Sequence, residues 1–251
     1  MTDPQVAIIE RAAPAVSVAA GSGAPARLGW AWLVLAVLGA LAGAAGSEAV
    51  FRTHHLFKVD PSRLGMPPYP PEILREMRNY ALINHALGFA GLGLVTCGLL
   101  SLAIVALRGS PARALGALAL GSLLGALLGA VGGASAYLID DTLIPVPIDG
   151  IFKAMLIHLP NWLLLAAVLA VAAVAFMKPR PQTSELFLAV IAAAAGAALL
   201  YPLLGLLFFR AAHSDRPVPF EHGVRVLCFA VGGAVLGMVA ARWLRSVPAR
   251  V

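Results

Sequence analysis

The chain has 251 residues, 60% of them hydrophobic and only 12% charged, with a formal net charge of +6 and a mean hydropathy of +0.88. Soluble domains carry about 25% charged residues, so this composition excludes a cytosolic enzyme, a secreted disulfide scaffold and a disordered chain. Fifteen of the 18 basic residues are Arg, and they are spread along the chain; that pattern suits membrane flanks and excludes a nucleic-acid binder.

Residues 1–27 are rich in Ala, Pro, Ser and Gly and read as a disordered leader. Six later segments are apolar enough over about 20 residues to cross roughly 30 Å of hydrocarbon. They are Leu28–Ser47, Ala81–Leu107, Ala114–Leu138, Ala154–Met177, Leu186–Phe209 and Gly223–Ala241. The first has an alternative as a signal peptide, because Ala42-Gly43-Ala44 has the form of a cleavage site, although a leader of 27 residues is long for an n-region. Between the first two spans lies an outer loop, 48–80, whose Met66-Pro67-Pro68-Tyr69-Pro70-Pro71 run is expected to be extended. Pro71 suits the first position of a helix, and one continuous helix is expected from there to Leu107, with Glu72–Arg75 or Glu76–Tyr80 contacts along it. The connection Ile139–Lys153 is apolar for a loop and is expected to lie along the interface, kept wet by Asp140, Asp141 and Asp149. Pro160 is expected to open the fourth span, and Pro202 to bend the fifth. The predicted fold class is therefore all-α: a polytopic membrane protein, a bundle of six transmembrane helices over residues 28–246, followed by a tail, 247–251.

Orientation follows from the basic residues of the short loops. With the N-terminus inside, nine basic residues fall on each side, against three acids inside and nine outside. The very short connections 108–113 and 178–184, each with two basic residues, favour both termini in the cytoplasm. Heavy Ala, Gly and Arg usage points to a bacterium, and so to its cytoplasmic membrane.

Glycine spacing is the clearest pattern. Gly121, Gly125, Gly129 and Gly133 recur every fourth residue and share one helix face. Gly39, Gly43 and Ser47 repeat the spacing in the first span, Gly233 and Gly237 in the sixth, and Gly88, Gly91 and Gly98 lie in the second. In lipid, small residues let helix backbones approach, the small-xxx-small mode of packing. The stripe serves contacts within the chain, self-association, or docking of other membrane subunits.

Mid-span positions hold no Asp, Glu, Lys or Arg, and the polar residues there are Thr96, Ser101, Ser122, Asn161 and Tyr201. That argues against a proton pump or a voltage sensor. No Walker, dinucleotide, HExxH or GxSxG motif occurs, and Cys97 and Cys228 form no CxxC pair, so no catalytic residue and no cofactor is assigned. All six histidines (His54, His55, His85, His158, His213, His222) fall on the outer side. His85, His158 and His222 lie 23, 20 and 20 positions from the first inner basic residue of their spans, which places them near one level. They are the candidate metal ligands, and a haem held by two of them is the alternative cofactor. The function expected is a non-catalytic accessory or scaffold subunit of a bacterial membrane complex. A transporter or channel for a small solute or metal ion is the alternative, and a haem-binding electron-transfer protein the third reading.

Overall fold

The computed structural model describes residues 24–53, 56–107, 111–177, 182–209, 217 and 222–246; His54, His55, His213 and most of the 1–27 leader lie outside them. The protein is an all-helical bundle in which six helices are long and apolar enough to cross a membrane. They are α1 (Ala24–Thr53), α2 (Pro71–Ala106), α3 (Pro111–Leu143), α4 (Gly150–Phe176), α5 (Thr183–Phe209) and α6 (His222–Ser246). A single 3-10 turn, Pro61–Arg63, interrupts the segment between α1 and α2.

The helices run past the apolar segments because backbone hydrogen bonding does not stop where the hydrocarbon does. α1 takes in Glu48 to Thr53, a stretch without Gly or Pro, and Thr53 Oγ1 donates back to the carbonyls of Ala49 and Val50. The long outer loop shrinks accordingly. α3 continues to Leu143, and Pro145 lies just beyond its end. α4 starts at Gly150, where Asp149 accepts from the amides of Ile151 and Phe152. The connection expected over Ile139–Lys153 is thus only 144–149. For the same reason Pro160 lies inside α4 instead of opening it. Pro202 is internal to α5, and α2 begins at Pro71 with the proline in its first turn.

Two antiparallel helix pairs form the closest contacts. Along α2 and α3, the backbone carbonyls of His85, Phe89, Gly93 and Cys97 stand against Gly133, Gly129, Gly125 and Gly121 in turn. Along α1 and α6, Gly39 and Gly233 face each other, Gly43 meets the carbonyl of Phe229, and Gly237 meets that of Leu35. At each of these positions the space a Cβ would need holds a neighbouring carbonyl. The glycine Cα–H therefore points at a carbonyl oxygen, the geometry of a weak Cα–H···O contact. The opposite face of α3 is exposed at Leu115, Leu123, Leu127 and Val131, spaced by multiples of four, an apolar stripe unpartnered within the chain.

α4 fills the centre. Trp162 is fully buried and packs its indole on Gly232 of α6. It is joined by Phe229, at 6.3 Å between ring centroids, which makes an edge contact with Phe89 of α2 at 5.6 Å.

Candidate functional site

Charged residues cluster at the outer ends of α2, α3 and α4, the ends farthest from the short basic connections. Arg78 of α2 pairs with Asp141 of α3 at 2.6 Å, and Lys153 of α4 pairs with Asp140 at 2.9 Å. Together they form an ion-pair layer of the kind expected where helices leave hydrocarbon.

Below this layer lies a band of buried polar side chains. His85, seven residues past Arg78 in α2, sits about 10 Å deeper. Its Nδ1–H donates to the Ala81 carbonyl at 2.7 Å, and its ring lies 5.1 Å from that of Tyr137. His158 is five residues past Lys153, about 8 Å down α4, and is fully buried. It meets the Tyr201 ring of α5 edge-on at 5.0 Å, and the Tyr201 hydroxyl hydrogen-bonds Cys228 of α6. Asn161 lies about 12 Å below the layer. Gly132 makes room for it, since a methyl there would come within 2.7 Å of its Oδ1. Both amide atoms of Asn161, the hydroxyls of Thr96 and Ser101 and the Trp162 Nε1 have no hydrogen-bond partner among the described residues.

The third group is ionic and joins α1 to α6. Arg225 is only 2% exposed; its Nη2 lies 3.5 Å from Oε1 of Glu48 and 3.2 Å from Nδ1 of His222. The Phe51 ring covers its guanidinium at 4.0 Å, a cation–π contact. His222 Nδ1 is itself 3.1 Å from Glu48 Oε1. Arg225 precedes Phe229, Gly233 and Gly237 at steps of four, so it occupies the outer end of the α6 face that packs on α1. The backbones close on glycine along that seam and admit a charge only at its end.

The candidate metal ligands His85, His158 and His222 are therefore not brought together. Each has a different neighbour: Tyr137, Tyr201 and Glu48. No group of three His, Cys, Asp or Glu side chains able to hold a metal ion occurs among the described residues. A similar depth along the bundle does not make the three side chains converge, because each helix turns its histidine toward a different neighbour.

The Arg225–Glu48 pair was missed, because both residues were counted with the outer loops. The signal lay in the spacing: Arg225 is in phase with the glycines of its own span, and a charge in phase with a packing stripe faces the neighbouring helix. Comparison with protein-family models, curated proteins and solved structures finds no match. By its six apolar helices the chain is an integral membrane protein.

Proposed function

We propose that the chain is a non-catalytic accessory or scaffold subunit of a membrane complex, placed in the cytoplasmic membrane of a bacterium with both termini inside. One observation carries this reading: the centre of the bundle is plugged by Phe89, Phe229 and Trp162, contributed by α2, α6 and α4. A rigid, aromatic-filled core flanked by glycine seams gives a stable shape and leaves the leucine face of α3 for lipid or a partner helix. A second reading, a carrier for a small solute or metal ion entered from the outer side, draws on Asn161, whose amide is buried within the bundle without a hydrogen-bond partner among the described residues.

Purification in mild detergent separates the two. Other subunits co-purifying in fixed stoichiometry are the expected result. A chain that purifies alone and drives saturable solute uptake into liposomes would transfer the assignment to the carrier. Orientation has its own test, since both native cysteines are buried. Cysteines introduced at Ser110 and Gln182 are expected to resist an impermeant thiol reagent in intact cells, and one at Ser62 to react. The opposite labelling would invert the topology.

A further inference from the structure

We infer that the pocket between the 56–64 segment and the outer part of α2 binds a small amphiphilic anion, with its apolar body between Phe57, Leu64 and Met77 and its charge on Lys58. The pocket encloses about 330 Å³, within the size range of small-molecule sites. Val59, Tyr80 and Asn84 complete its walls.

The walls are fixed without any ligand. Asn84 Nδ2 donates to the Phe57 carbonyl at 2.9 Å, and the Phe57 amide donates to Asn84 Oδ1 at 3.1 Å. The Phe57 and Tyr80 rings stack at 6.0 Å. Arg63 bridges to Glu76 at 2.8 Å, and Asp60 holds the 3-10 turn through the Ser62 amide and hydroxyl. Val59 is buried beneath them.

The ligand class follows from position and charge. Tyr80 lies 26 residues before the end of α2, about 39 Å along its axis, and the hydrocarbon is only about 30 Å thick. The apolar walls therefore stand at or above the headgroups, where an apolar guest would shield them from water. Glu76 pairs with Arg63, and the Asp60 carboxylate, still charged, accepts from the Ser62 amide and hydroxyl, whereas Lys58 makes no ion pair among the described residues. Lys58 is the one charged side chain among the described residues lining the pocket, and a carboxylate or phosphate is what it recognises. Such a group comes either from a soluble amphiphile or from a lipid headgroup of the outer leaflet.

The test uses the full-length protein in phosphatidylcholine nanodiscs, titrated calorimetrically with 4-phenylbutyrate and with its neutral twin 4-phenylbutanol. Saturable binding is expected over empty discs, with the anion about five- to tenfold tighter. Lys58→Gln should abolish that preference while leaving the alcohol unchanged. Leu64→Trp should fill the pocket and abolish binding of both at an unaltered unfolding temperature. Phosphatidylglycerol in the discs distinguishes the sources. Weaker binding of the alcohol as well as the anion shows a lipid competing for the pocket, because surface charge alone does not repel the alcohol. Unchanged alcohol binding assigns the site to soluble anions. Absence of saturable binding by either probe, or an anion preference that survives Lys58→Gln, would overturn the proposal.

Discussion

Glycines of this bundle should differ sharply in their tolerance of a single methyl group. At Gly125 a Cβ would run into the carbonyl carbon and oxygen of Gly93 and within 2.8 Å of the Cys97 side chain. Backbone cannot rotate aside, so α2 and α3 must part along a seam of four contacts. Overpacking of this kind costs about 1–3 kcal/mol, and the upper end applies where backbone opposes backbone. Alanine returns about 1 kcal/mol through its helix propensity, which leaves a net loss of about 2 kcal/mol for Gly125→Ala. At Gly116 the same methyl would meet only the far end of the Phe176 ring, at 2.8 Å, and at Gly196 only Val235 Cγ1, at an ordinary 3.5 Å. Gly116→Ala should therefore lose less than about 1 kcal/mol as the ring shifts, and Gly196→Ala should be neutral or slightly stabilising. Thermal unfolding in detergent, followed by tryptophan fluorescence, ranks the three variants. A Gly125→Ala protein as stable as Gly196→Ala would refute the seam as a close-packed element.

Three further perturbations address the outer half. Glu48→Gln removes the anion beside the buried Arg225, and because the Glu48 side chain is 41% exposed the loss should be about 1–2 kcal/mol, short of that for a wholly buried pair; a double variant with Arg225→Met should recover stability in the same melt, and a double variant worse than either single would count against the pairing. Asn84→Ala breaks both hydrogen bonds to Phe57, so deuterium exchange at the Phe57 amide should rise at least tenfold while α2 beyond residue 88 keeps its protection. Asp60 has its carboxyl held below its ordinary 3.8 by hydrogen bonds from the Ser62 amide and hydroxyl. A depressed folded value means that its contribution to the 61–63 turn is present above about pH 4 and lost as pH falls through the lowered value. Exchange protection of the Ser62 amide, corrected for the intrinsic rate, should therefore drop in acid, and Asp60→Asn should remove that dependence.

What the sequence made legible was the environment of each stretch, and what it concealed was which residues of neighbouring helices meet. Apolar length located six helices, because lipid forces every backbone group into internal hydrogen bonds. Helix ends escaped that logic: Glu48–Thr53 and Ile139–Leu143 are polar or interfacial and helical all the same. Four-residue spacing put Gly121 to Gly133 on one face, but it could not say which neighbour they meet, and the structure places α2 there. Lateral neighbours were harder still: counting from the first inner basic residue gave His85 and His158 similar depths, but it could not show that one ring meets Tyr137 and the other Tyr201. Arg225 shows the same limit from the other side. Counted by distance from a span end it belongs to water; placed on its helix face it belongs to the seam with α1, where Glu48, His222 and Phe51 surround it. Depth and face together decide whether an ionisable group in a membrane protein is solvated or built in, and the face was readable from the glycines that follow Arg225 at steps of four.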